Sequence, residues 1–376
     1  MLFVTKYPLH VEYSIKKKFA SQIKAVQNLG YEVYYTAFDS DYFYLVHNEE
    51  KYKIKKIAFG KEKSYIHLKA FLDMYDTVLR VLKREKFAYA YIRSCPLTWL
   101  GYRMLQRFSK NGTKIVVEIP TYPAEREKIR STFHKLSNIY TDFWWGHAEK
   151  YCDLFTLIGD RADSYHGRPA INIDNGIQVD EIPMCRHAHT DGEAFHMLAL
   201  ASMCNWHAYD RVIEGMAQLD VAQRKNVVLD LVGDGGDGSI SKWKELAERL
   251  QVQDCVKFHG YLSGDELDQM INASSIGLGT LGLYRKSFSS ASNLKTREYM
   301  ARGLPFVYAG DDPGLDGNEP YALKIPNDDT AVDMNEVLTF IENVEARPRY
   351  QEEMRQHAQE KMSWERQFNK VFTTLG

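Results

Sequence analysis

The stretch Ser289-Ser-Ala-Ser-Asn-Leu-Lys-Thr-Arg-Glu-Tyr-Met-Ala-Arg-Gly-Leu-Pro-Phe-Val307 brings hydroxyls, cations and one carboxylate into a spacing that suits an anionic ligand carrying hydroxyls. It reads as a Ser-rich loop, a short helix, a Gly stop and a buried strand. Ser292 or Asn293 is placed to cap the helix, because a short side-chain oxygen accepts from the orphan amides of the first turn. Gly303 suits the position after the last turn, and Pro305 prevents continuation. Glu298 follows Leu294 by four residues and precedes Ala301 by three, on a face expected to be apolar. A carboxylate there is either paired or used. An i,i+4 ion pair with Arg302 is the structural alternative. Lys295 falls in the first turn, where helix amides and dipole attract an anion. A phosphate at the helix tip and a hydroxyl-binding glutamate one turn deeper is what a nucleotide sugar requires.

Further candidates lie near expected strand ends. Arg285 and Lys286 sit in a loop of small residues and, with Lys295, are able to surround a diphosphate; as surface charges they need no such role. His207 follows the run Met197–Ala201, either over a ligand cleft or as a hydrogen-bonded structural residue. Glu118 ends the run Lys114–Ile119 ahead of Pro120-Thr-Tyr-Pro123. That rigid loop, with Thr121 and Tyr122, joins a carboxylate to an aromatic ring, a combination that grips a sugar; a helix cap is the alternative. The run Val227–Val232 leads into Gly233-Asp-Gly-Gly-Asp-Gly238, a literal G-x-G-x-x-G. Asp234 and Asp237 would repel a pyrophosphate, and no acidic residue ends the next strand. A turn that needs glycine, or one where a base or ribose nears the backbone at Gly233 and Gly235, fits better. Asp311-Asp312 suggests a metal, but Pro313 and Gly314 make a turn simpler. There is no sequence of hydrolase, protease or kinase type.

The elements that must position these residues alternate strand and helix. Runs at Leu2–Thr5, Glu32–Ala37, Tyr89–Arg93, Lys114–Ile119, Leu154–Ile158 and Ala170–Ile173 are separated by amphipathic segments. Tyr42–His47 and Tyr52–Phe59 read as an inserted hairpin. From Pro183 to Glu193 the text turns polar, the best linker. The rhythm restarts at Met197–Ala201 and continues through Val227–Val232, Cys255–Phe258, Ser275–Leu278 and Phe306–Tyr308. This predicts an α/β protein of two parallel-sheet domains facing a cleft, with ligands at carboxyl ends of strands. At 376 residues the chain is too long for one ordinary core. Its 48 Lys+Arg against 50 Asp+Glu argue against a dedicated nucleic-acid binder. No apolar run reaches the roughly 20 residues that span a bilayer. Met1–Lys6 reads as a first strand rather than a signal peptide, and five scattered cysteines as reduced thiols of a cytoplasmic protein. Tyr13, Lys16-Lys-Lys18 and Phe19 make a basic, aromatic helix start able to touch anionic headgroups; a solvated face is the plainer reading.

The segment Ser292–Val307 resembles the "LEAMA-G-PVV" helix of the retaining glycosyltransferases of the GT-B fold, family GT4. Leu231–Gly235, Val256–Gly260, Asn175-Gly-Ile177 and Met203–Glu214 extend the likeness over nearly the whole chain, and Tyr91-Ile-Arg93 with Glu118–Pro123 looks like a subgroup of bacterial capsule and exopolysaccharide clusters. The resemblance implies two Rossmann-like domains facing across a cleft: residues 1–182 for the acceptor, 193–360 for the nucleotide sugar, and a helix at 361–376 crossing back to the first. It implies retaining transfer from a UDP- or GDP-sugar to a glycan or lipid-linked oligosaccharide, with no cofactor and no metal, in the cytoplasm at the inner membrane face. Glu298 matches the family's ribose-binding glutamate. Ser290 stands where the family has its first glutamate, at the donor sugar. His207 stands at the lysine of the family's "KG" pair, with Ala208 for the glycine. Arg285, Lys295 and the helix-tip amides are left to hold the diphosphate, with Gly233 and Gly235 beside the nucleotide. Tyr13 lies near the place of the family's Gly-Gly loop, and Glu118 or Thr121 near that of its histidine. A sugar-nucleotide-binding scaffold without catalysis, and an NAD-dependent oxidoreductase resting on the Gly loop, are the alternatives.

Overall fold

The computed structural model describes residues 1–9, 14–57, 68–123, 132–185 and 194–376. The chain divides into two compact units, Met1–Asp174 with Trp364–Gly376, and Asn175–Ser363.

The first unit opens with β1 (Leu2–Pro8), α1 (Ser14–Asn28), β2 (Tyr34–Phe38), β3 (Tyr42–His47), β4 (Glu50–Lys56) and α2 (Leu68–Val81). It continues with β5 (Tyr89–Arg93), α3 (Trp99–Lys110), β6 (Lys114–Tyr122), α4 (Thr132–Ala148), β7 (Leu154–Gly159), β8 (Ser164–Tyr165) and β9 (Arg168–Asn172). They form one nine-stranded sheet in the order β4-β3-β2-β1-β5-β6-β7-β9-β8. The expected hairpin exists, but β3 pairs antiparallel with β2, so it prolongs the sheet edge instead of being inserted. Residues 58 and 59 of its expected second strand lie outside the described residues.

Side chains alternate across a strand, so successive residues supply opposite faces. Leu2, Val4, Ile92, Val117 and Phe155 face Tyr75, Met104 and Phe108. Phe3, Tyr91, Val116 and Leu154 face the other way, onto Val26, Trp364 and Phe368. The same alternation sends Glu118 to the face of Val116. Strand β6 runs on to Tyr122, so Glu118 is mid-strand and not at a strand end as expected.

The second unit contains β10 (Phe195–Leu200), α5 (Asp210–Gln218), α6 (Val221–Arg224), β11 (Val227–Val232), α7 (Ser239–Arg249), β12 (Val256–Gly260) and α8 (Gly264–Asn272). Then come β13 (Ile276–Leu278), α9 (Leu294–Arg302), β14 (Phe306–Ala309), β15 (Ala322–Ile325), α10 (Met334–Glu345) and α11 (Tyr350–Lys361). Its six strands are all parallel, in the order β12-β11-β10-β13-β14-β15. Strand β15 was not expected from the sequence.

The units part at Asp174/Asn175, earlier than the expected boundary at 182. Pro183–Cys185, expected to begin the linker, is held by the second unit. The Cys185 amide donates to the Arg302 carbonyl at 2.7 Å, and Arg355 donates to the carbonyls of Val179 and Ile182, each at 2.8 Å. Residues 186–193 of that stretch lie outside the described residues. The last helix, α12 (Trp364–Leu375), returns to the first unit. There Phe368 meets Phe3 and Tyr91 at ring distances of 5.9 and 5.1 Å, and Phe372 stacks on Tyr31 at 4.1 Å. Among the described residues no helix is long and apolar enough to cross a membrane.

Candidate functional site

The expected caps of α9 are not formed, because both side chains are engaged elsewhere. The Ser292 hydroxyl accepts from the Asn175 amide at 2.7 Å, and Asn293 Oδ1 accepts from the Thr280 hydroxyl at 3.4 Å. The first turn therefore has no side-chain cap and contains no acidic residue. Half-buried Lys295 lies in that turn. Its ammonium donates to the Tyr209 hydroxyl at 3.0 Å and lies 5.6 Å from the centre of that ring. It forms no ion pair among the described residues, and burial pushes its pKa down to about 7. Uncapped amides beside a partly desolvated cation make a locally positive helix start, the kind of site that attracts an anion.

His207 lies in the short 3-10 turn Asn205–His207 after β10 and is 4% exposed. Its Nδ1 accepts from the Cys204 amide at 3.4 Å, which leaves the proton on Nε2. Burial, then Lys295 and Lys286, push its pKa down to about 2. His207 is thus a neutral donor at any ordinary pH and not a stand-in for a cationic lysine. Its ring lies parallel to that of Tyr209, 8° between planes and 5.7 Å between centres. Lys286 projects over Trp206, 4.3 Å from the ring centre. Lys295, Lys286 and His207 are therefore brought together with α9's uncapped turn.

Arg285 is not available for a diphosphate. Its Nε donates to the Tyr284 hydroxyl at 2.7 Å, Nη1 to the Asn205 carbonyl at 2.9 Å and to Asp210 at 2.8 Å, and Nη2 to Asp210 at 2.7 Å and Asp329 at 3.0 Å. Every guanidinium N–H already has a protein acceptor. Gly233 and Gly235 are required by packing. A Cβ on Gly233, whose φ is +132°, would stand 1.8 Å from the Ala201 carbonyl oxygen. One on Gly235 would stand 2.2 Å from that of Met203. The turn after β11 is pressed against the turn after β10, and glycine is what permits it.

Glu298 sits one turn into α9 with its side chain 27% exposed, and Leu294 is exposed, so this face is not the apolar one expected. Glu298 Oε1 accepts from Arg302 Nε at 3.1 Å, and Arg302 is itself fixed by Asp268 at 2.7 Å. The i,i+4 pair is present, yet it engages one carboxylate oxygen and leaves Oε2 to accept from a ligand hydroxyl. Ser290 is half-buried and bridges Asp311 by its backbone. Its hydroxyl has no hydrogen bond among the described residues.

In the first unit, Glu118 is 0% exposed. Oε1 accepts from Lys18 at 3.1 Å and Arg93 at 3.0 Å; Oε2 accepts from Gln22 and from the Tyr91 hydroxyl, each at 2.7 Å. Burial raises its pKa, but the Lys18 and Arg93 charges and these hydrogen bonds outweigh it and hold it at about 2. With both oxygens saturated, Glu118 is an anchor under α1 and α12 and neither a base nor a sugar-gripping group. Lys18, expected at a solvated or membrane-facing helix start, is buried in the same cluster. Thr121 and Tyr122 are half-buried at the end of β6. The Tyr122 ring meets Tyr165 edge-on at 5.9 Å, and its carbonyl accepts from Asp160 at 3.0 Å. Tyr13 lies outside the described residues.

Sequence reasoning missed Tyr209, which receives Lys295, and the buried pair Arg297–Asp312. Asp312 also accepts from the Thr296 hydroxyl at 3.0 Å and the Gly314 amide at 2.9 Å, while Arg297 Nε donates to the Asn175 carbonyl at 3.1 Å. The turn expected at Asp311–Gly314 thus exists, with Asp312 paired to α9. No metal-holding cluster occurs among the described residues.

Two Rossmann-like units, with the last helix returned to the first, define the fold as that of the GT-B glycosyltransferases. Residues 194–342, which contain α9 and its surroundings, match the family model described as "Glycosyl transferases group 1". The fold is similar to WaaG, a glycosyltransferase involved in lipopolysaccharide biosynthesis, at 15% identity over 99% of both chains and a TM-score of 0.64. It is also similar to the catalytic domain of starch synthase IV from Arabidopsis thaliana bound to ADP and acarbose, at 10% identity over 99% and 98% of the chains with a TM-score of 0.64. Sucrose-phosphate synthase from Thermosynechococcus elongatus follows at 12% identity over 100% and 98%, TM-score 0.62. Comparison with curated protein sequences gives no match.

Proposed function

We propose that the chain is a retaining, metal-independent glycosyltransferase of family GT4 type. It moves a sugar from a UDP- or GDP-sugar to a glycan or lipid-linked oligosaccharide, in bacterial surface polysaccharide synthesis at the inner membrane face. The observation that carries this reading is the uncapped start of α9, with Lys295 in its first turn and Glu298 one turn deeper. The diphosphate would sit at the helix tip against Lys295, Lys286 and the Nε2–H of His207. The ribose hydroxyls would donate to Glu298, oriented by Arg302. As the bond from the anomeric carbon to the phosphate oxygen breaks, charge accumulates on the leaving group, where these cations and the helix dipole stabilise it. The acceptor oxygen bonds to the anomeric carbon on the same face, and its proton passes to the departing phosphate oxygen. Ser290 replaces a carboxylate contact to the donor sugar with a hydroxyl contact.

That replacement also favours a second reading, a sugar-nucleotide-binding protein without catalysis. Titration calorimetry with UDP, GDP and NAD, paired with a transfer assay over a panel of nucleotide sugars, separates the readings. Tight binding of UDP or GDP but not NAD is expected, and Glu298→Ala should weaken it by about tenfold or more. Binding of NAD alone, or unchanged affinity in the variant, sinks the assigned site. Binding without transfer of any sugar leaves the scaffold.

A further inference from the structure

Strands β1 and β5 lie side by side in the first unit, but their ladder stops early. Its last pair is Val4 with Ile92, and Thr5, Lys6, Arg93 and Ser94 flank the opening beyond it. The adjoining helices pack on opposite sheet faces, α1 with Phe3 and α2 with Val4. Such a parting at carboxyl ends is a topological switch point, where open parallel sheets take their ligands. Here it holds a cavity of about 260 Å³. That is below the roughly 300–1,000 Å³ of sites for drug-sized ligands, and it suits one small ring.

The lining is cationic. Lys6 Nζ stands 4.1 Å from the centre of the Phe71 ring, and the Arg93 guanidinium 5.6 Å from that of Phe19. Arg93 gives Nη1 to Glu118 at 3.0 Å, while its Nε and Nη2 make no hydrogen bond among the described residues. None of the described residues that line the cavity is acidic. Thr5, 5% exposed, also lines it, and its hydroxyl is buried with no hydrogen-bond partner among the described residues. The Thr36 hydroxyl accepts from the Thr5 amide at 3.0 Å and donates to the Thr5 carbonyl at 2.7 Å, so the Thr5 side chain alone is left over. A buried hydroxyl without a partner is costly, and it marks where a ligand atom fits. Ile15 and Met74 supply apolar walls. Cations, an unsatisfied hydroxyl and apolar walls match a small ring that carries hydroxyls and one anionic group.

We infer that this cavity binds the acidic end of the acceptor, a sugar bearing a carboxylate or a phosphate. Its role as acceptor rests on the proposed transfer; its chemistry as a ligand does not. Ligand-observed NMR with the full chain compares glucuronate, glucose 6-phosphate, glucose and inorganic phosphate. The acidic sugars should bind at least about tenfold more tightly than glucose or phosphate, and the better of the two names the anion. Lys6→Met keeps the contact with Phe71 and should cost about tenfold or more in affinity. Thr5→Val should weaken binding by about threefold or more, while the melting temperature of the ligand-free chain stays level or rises. That variant keeps loss of binding apart from loss of folding. Equal binding of glucose or of inorganic phosphate, or unchanged affinity in Lys6→Met, overturns the inference. So does displacement of the sugars by UDP. Transfer to a neutral acceptor with no acidic sugar bound sinks it and leaves the transferase; acidic sugars bound without any transfer do the reverse.

Discussion

Lys295 gives the candidate site a pH dependence whose sign can be worked out. An anion binds the protonated amine, and in the free protein that proton is lost above about pH 7. Affinity for UDP or GDP should therefore stay level below about pH 7 and fall above it, by at most about tenfold per unit. Calorimetric titrations from about pH 6 to about pH 9 should show this slope in the unaltered chain and not in Lys295→Met, which also removes the nucleotide's own ionisation from the comparison. The stability of the ligand-free protein changes oppositely. Its depressed pKa means the unfolded chain holds more protons, so stability rises as the solution becomes alkaline. At this scale the sequence showed what helix geometry decides, namely Lys295 in a first turn and Glu298 one turn on. It did not show what distant partners decide. Arg285 is taken up by Asp210 and Asp329, which lie 75 and 44 residues away, and Glu118 by side chains from two other elements, α1 and β5.

Among the elements, the turns at the carboxyl ends of β10 and β11 govern whether the second unit holds its shape. Gly233 stands with positive φ against a carbonyl oxygen of the neighbouring turn. Gly233→Ala should destabilise the second unit by roughly 2–4 kcal/mol, since the added methyl has backbone on one side and a disfavoured dihedral on the other. Denaturant unfolding followed by hydrogen exchange of β10 and β11 would show a loss confined to that unit; an unchanged midpoint would refute the packing argument. The parallel strands were legible because strands buried on both faces are apolar runs bounded by turn residues. Strand β15 was not, being four residues long with Lys324 in its middle. The caps of α9 were misjudged for a related reason. Sequence proximity favoured Ser292 and Asn293 as caps, whereas Asn175 and Thr280 engage them from afar.

For the whole molecule, the architecture was readable from the alternation of strands and helices, but the boundary was not. Polarity marked 183–193 as a linker, while Arg302 and Gln351 hold Cys185, in the described part of that stretch, to the second unit. Chain connectivity has its own consequence. Helix α12 supplies Trp364, Phe368 and Val371 to the core of the first unit, so removing residues 364–376 should lower that unit's melting transition and leave the other in place. Differential scanning calorimetry of the truncated chain checks this, and loss of both transitions together would contradict it. During synthesis the order of completion is then inverted relative to the order of translation. Residues 1–174 leave the ribosome first, yet they wait with one sheet face covered by α1 alone until α12 emerges. The second unit, though made later, can be finished sooner, and a cell making this protein must keep the early half from aggregating for the time that nearly two hundred further residues take to appear.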